Sequence, residues 1–113
     1  MAIPHAKSGD VVTVGIPLPP DTSLEGLVSE TLIRDEHIEV FRFVLEPGTR
    51  MQEHRASGSL TIQCLLGEIE LSAHGATRML KAGDLVHLRN AEAHAVATDQ
   101  FTVLLLTLFL NRV

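Results

Sequence analysis

Short apolar runs separated by turn residues make up most of the chain. Val11-Val12-Thr13-Val14 is a β-branched run between Gly9 and Gly15 and reads as a strand. Thr22 to Ser29 reads as a loop or one helical turn. Thr31 to Arg34 and, after the polar turn Asp35-Glu36-His37, Ile38 to Leu45 read as strands. Glu39 and Arg42 interrupt the second without strict alternation, as in a strand buried over most of its length. Glu46-Pro47-Gly48 is a turn, and the polar stretch Thr49 to Arg55 leads into the loop Ala56-Ser57-Gly58-Ser59. Leu60 to Leu66 reads as a strand stopped by Gly67-Glu68, and Ile69-Glu70-Leu71 alternates. His74-Gly75 is a hairpin turn before Thr77 to Leu80, and Lys81-Ala82-Gly83-Asp84 turns the chain again. Leu85 to Leu88, His94 to Ala97 and Phe101 to Leu110 complete the series.

No stretch holds a 3.6-residue period, and Gly or Pro breaks every long window. Nine or so short strands with regular turn signals predict an all-β sandwich or closed barrel. The length of 113 residues suits one domain with a single core. Nine Lys and Arg against 14 Asp and Glu leave a net charge of −5, which argues against a nucleic-acid or polybasic membrane surface. The single Cys64 cannot form an internal disulfide, and the N-terminus lacks the layout of a signal peptide, so a cytoplasmic location is expected. The longest apolar stretch, Phe101 to Leu110, is half of what a spanning helix needs.

Two motifs carry chemistry. Pro47-Gly48, then His54, and later Leu65-Leu66-Gly67-Glu68 form the first; Lys81-Ala82-Gly83-Asp84-Leu85-Val86 through His94 form the second. In this order and spacing the sequence resembles the small single-domain cupins of the conserved-barrel type. The resemblance covers residues 47 to 98 and implies a double-stranded antiparallel β-helix, a jelly-roll barrel over 31–110 with a strand segment in 1–30 ahead of it, in one domain spanning 1–113.

The resemblance also implies a metal site, held in typical members by two histidines and a glutamate from the first motif and a histidine from the second. Carried over residue by residue, the first histidine is His54 and the last is His94. The second histidine position falls on Ala56 and the glutamate position on Leu60. The ligand set is therefore degenerate. Two imidazoles suit a divalent transition metal such as Zn, Ni, Fe or Cu, with water, substrate or a further side chain completing the shell. Without metal, the same pair can serve as a proton donor and acceptor. Both uses stay open at this stage, and so do an oxygenase, isomerase or lyase on one hand and a non-enzymatic binding or sensor barrel on the other.

Ala56 and Leu60 make the expected pocket drier than a metal-binding one, so a small apolar or aromatic ligand is expected rather than a sugar phosphate. Gln63 and His87 are further pocket candidates. Alternation from an inward Leu60 turns Gln63 outward unless a bulge intervenes, and the facing of His87 is undetermined. Cys64 reads as a small core hydrophobe. Finally, Val103, Leu105, Thr107 and Phe109 alternate with Leu104, Leu106, Leu108 and Leu110, so both faces of the last strand are apolar. The outer one needs a cover, either the Val11–Val14 segment or a second copy of the chain, and a homodimer is expected.

Overall fold

The computed structural model describes residues 5–14, 27–90 and 92–110. Among them are nine strands and no helix: β1 (Leu27–Arg34), β2 (Ile38–Leu45), β3 (Arg50–Arg55), β4 (Leu60–Leu66), β5 (Glu68–Ala73), β6 (Ala76–Lys81), β7 (Leu85–Leu88), β8 (Ala93–Ala97) and β9 (Thr102–Phe109). They form two antiparallel sheets, one ordered β1-β2-β9-β4-β7 and the other β3-β8-β5-β6. The all-β, two-sheet architecture is what the run of short strands predicts, and its jelly-roll form is what the motif resemblance implies.

Alternation places the core. In β4, Leu60, Ile62 and Cys64 are buried while Thr61 and Gln63 are less so. Their inward side chains meet Leu45 of β2, Leu104 of β9 and Leu88 of β7 from the same sheet, and Ile69, Leu71, Leu80 and Val96 from the other. Each such side chain removed from water contributes about 1.5–3 kcal/mol, which is what holds the sheets face to face. β2 and β9 pair without interruption from Ile38↔Phe109 to Leu45↔Thr102, so the centre of the larger sheet has one fixed register.

Turn chemistry sets the strand ends. His74 and Gly75 both have positive φ, 55° and 70°, the pattern of a tight two-residue hairpin between β5 and β6. Gly67, at φ 82°, passes against the start of β9, where a Cβ would lie 2.4 Å from the Phe101 carbonyl oxygen. Beside it the buried Thr98 and Thr102 hydroxyls cross-link three strand ends. Thr98 donates to the Glu68 carbonyl at 2.6 Å and accepts from the Gln100 N–H at 3.0 Å. Thr102 donates to the Gln100 carbonyl at 3.0 Å and accepts from the Glu68 N–H at 3.3 Å.

Three local readings change. Val11 to Val14 forms no strand: Val11 is 94% exposed, and the preceding segment touches the sheet through one bridge, Ala6 to Ile33 at the β1 edge. β-Branching alone does not make a strand where no neighbour offers a ladder. Conversely, the polar stretch after Pro47-Gly48 is β3, an edge strand held by its pairing with β8 and not by burial. The stretch read as a loop or turn before Thr31 already belongs to β1 from Leu27 on, while its residues 22–26 lie outside the described ones.

Candidate functional site

Three strands bring the two motifs together. β8 alternates Ala93, His94, Ala95, Val96 and Ala97, with His94 and Val96 inward. β3 lies beside it in the register Met51↔Val96 and His54↔His94. A bulge between these pairs lets Met51 and His54, three residues apart, face the same side. β4 of the opposite sheet supplies Leu60 and Ile62, and the loop before it supplies Ala56.

The result is a cavity of about 160 Å³ between the sheets. His54, His94, Ala56 and Leu60 all line it, so these four sequence-derived positions share one wall system. The imidazole rings of His54 and His94 are 4.2 Å apart between centroids and tilted by 60°. His94 is 3% exposed, whereas His54 is exposed and sits at the rim. Among the described residues every other lining side chain is apolar, including Phe41 and Phe43 of β2 and Leu104, Leu106 and Leu108 of β9. The two phenylalanines were not found by motif spacing. Their i, i+2 relation hints that they share a face, but which face depends on the β2–β9 register, which no local pattern records.

Each imidazole is fixed by a backbone carbonyl two residues earlier. His54 Nδ1 lies 3.1 Å from the Gln52 carbonyl oxygen, and His94 Nδ1 lies 3.1 Å from that of Glu92. A carbonyl oxygen only accepts, so both Nδ1 atoms carry the proton and donate it. In the neutral ring each Nε2 then keeps its lone pair. Burial pushes the His94 pKa below its ordinary value of 6.5; the Glu92 carbonyl opposes that shift, and charge on His54 adds to it. Glu92 is anchored in turn: its carboxylate accepts from the Arg89 N–H at 3.1 Å and from His74 Nε2 at 2.8 Å. These two partners hold its carboxyl below the usual range, the Arg89 N–H first.

Gln63 and His87 are corrected as pocket residues. Neither lines the cavity. Gln63 is opposite Leu85 and Leu105, and His87 is opposite Thr61, all on the outer face of the larger sheet. The bulge in β4 falls after Cys64, too late to turn Gln63 inward. Cys64 is fully buried, its Sγ 3.5 Å from the Leu66 and Gly67 carbonyls, and burial pushes its thiol pKa up, so it is a core side chain and not a nucleophile.

The residues do not fit a resident metal centre of the kind the motif resemblance implies. Among the described residues no three His, Cys, Asp or Glu side chains converge. Two nitrogens face Ala56 and Leu60 where two more ligands belong, whereas a catalytic site ordinarily supplies three protein ligands.

No protein-family model and no curated protein match the chain. Solved structures do. An RmlC-like cupin from Shewanella frigidimarina is similar over 77% of this chain and 78% of its own, with 20% identity and a TM-score of 0.72. A cupin superfamily protein from Desulfitobacterium hafniense is similar over 84% and 91%, with 18% identity and a TM-score of 0.75. A salicylate 1,2-dioxygenase variant from Pseudoaminobacter salicylatoxidans is similar over 74% of this chain and 26% of its own, with 17% identity and a TM-score of 0.69. The sheet order, the paired motifs and these likenesses agree: the chain is a small cupin-fold protein.

Proposed function

We propose that the protein binds a small apolar or aromatic molecule in its barrel cavity, with His54 and His94 as the polar anchor. The observation that carries this is the composition of the wall: two imidazoles in a lining that is otherwise aliphatic, aromatic or thioether. Ligand sites commonly combine an apolar wall with a few placed polar groups. The volume of about 160 Å³ is close to the engineered cavity of roughly 150 Å³ that takes up benzene. A single ring therefore matches the space. One similar structure acts on salicylate by its name, and a single-ring aromatic is the same size class.

The competing reading is a transition metal held by His54 and His94, with solvent or substrate completing its shell. It draws support from the carbonyl bonds to Nδ1, which metal-binding imidazoles also use to orient Nε2. One pair of measurements separates the two. Toluene titrated calorimetrically into chelator-treated protein is expected to bind saturably, and Ala56→Phe, which fills the cavity, is expected to abolish that binding. A stoichiometric metal in untagged protein, lost in His54→Ala, with no toluene binding by the metal-free form, would replace the first reading with the second.

A further inference from the structure

The hydrogen-bonding character of the cavity narrows the ligand. Two carbonyls take the Nδ1 protons, the Gln52 carbonyl that of His54 and the Glu92 carbonyl that of His94, each at 3.1 Å. What remains for the cavity in the neutral pair is two Nε2 lone pairs, which accept and cannot donate. Among the described residues no Lys or Arg lines the cavity, so an anion there is offset only if an imidazole takes up a proton, which the burial of His94 disfavours. An acidic ligand would bring its charge into an apolar space beside two further acceptors, and burying an unpaired charge is strongly unfavourable. An ether or ketone fits no better, because it offers only acceptors to acceptors. A hydrocarbon fills the space but covers the His94 Nε2 without giving it a partner, and such a group costs about 1–3 kcal/mol. A hydroxyl on a single ring satisfies each condition: it is neutral, it donates, and its ring suits the apolar remainder.

We infer that the cavity selects neutral single-ring hydroxyl compounds of the phenol class, with the ligand O–H donating to the Nε2 lone pair of His94 and the ring packed among Phe41, Phe43 and Leu106. This rests on the reading of the cavity as a ligand site. His54, at the rim, places a second acceptor beside the first and extends the same preference to the mouth.

The test compares phenol, toluene and benzoate on chelator-treated protein by calorimetry. Phenol and toluene have nearly the same shape, so the ratio of their affinities reports the hydroxyl. That ratio is expected to fall about ten-fold in His94→Leu, with folding followed by circular dichroism. Benzoate is expected to bind at least about a hundred-fold more weakly than phenol. A ratio unchanged in His94→Leu overturns the hydroxyl assignment while leaving the cavity reading in place. Benzoate bound as tightly as phenol overturns the requirement for a neutral ligand. If neither toluene nor phenol binds, the cavity reading itself has failed.

Discussion

Leu60 shows what one side chain decides. It is 4% exposed, points into the cavity near the two imidazoles and occupies the position where the motif resemblance expects a glutamate. Leu60→Glu should bury a carboxylate in an apolar wall and cost about 3 kcal/mol in metal-free protein. The same substitution supplies a third ligand, so added Zn²⁺ should recover much of that loss. Urea unfolding with and without zinc checks both parts; a variant as stable as the parent without metal would show that Leu60 does not face the dry wall. His94 makes a second prediction. Its folded pKa is depressed, mainly by burial, so the unfolded chain takes up the proton first as pH falls. Its effect on stability is therefore neutral above about pH 6.5, and stability drops below that value. The drop between pH 7 and pH 5 should be smaller in His94→Gln; equal drops in both proteins would contradict the burial of a neutral ring. At this scale the sequence was informative about His54, His94, Ala56 and Leu60, because turn glycines at 48, 67 and 83 anchor their spacing. It was silent about Phe41, Phe43 and Met51, which reach the site through pairing and a bulge.

Elements were legible where burial makes them. β2, β4 and β9 carry their apolar residues in the sequence because they pack on both neighbours and the core. β3 carries five polar residues among six and is an edge strand, so nothing in its own pattern distinguishes it from a loop. Val11–Val14 fails in the opposite sense, having the composition without a ladder partner. The strand ends are the other sensitive points. A Cβ on Gly67 would fall 2.4 Å from the Phe101 carbonyl oxygen and 2.5 Å from Thr102 Oγ1, at a φ that side chains rarely adopt. Gly67→Ala should cost more than about 2 kcal/mol, and thermal melting reads that directly. A melting temperature within a degree of the parent would mean that the β4–β5 turn and the start of β9 are not packed as described.

For the whole molecule, the outer surface of the larger sheet decides association. The cavity side of β9 takes Leu104, Leu106 and Leu108, which settles which of its two apolar faces is the outer one. The outer side carries Val103, Leu105, Thr107 and Phe109, flanked by Ile38 and Val40 of β2 and by Leu85 of β7. Leu85 is 65% exposed and Phe109 48% exposed, whereas Val103 and Val44 at the other end of this face are already buried within the chain, and the segment before Val14 bridges β1 through Ala6. Arg42 and Glu30 on the same face pair with each other, so the face brings no unpaired charge of either sign from this pair against an identical one. We propose that a second copy covers the exposed part of this face around Leu85 and Phe109. Light scattering should give about twice the chain mass of 12.3 kDa, falling to one chain in Leu105→Asp; a monomeric parent protein would refute the dimer. Neither result bears on the interior. The direct test of the ligand site is a toluene titration of metal-free protein followed by methyl NMR. Saturable shifts at Met51, Ile62, Leu104, Leu106 and Leu108, with none at Leu85, would place the molecule between the sheets. Absence of saturable shifts at those methyls, or shifts confined to the outer face, would contradict a ligand cavity at His54 and His94.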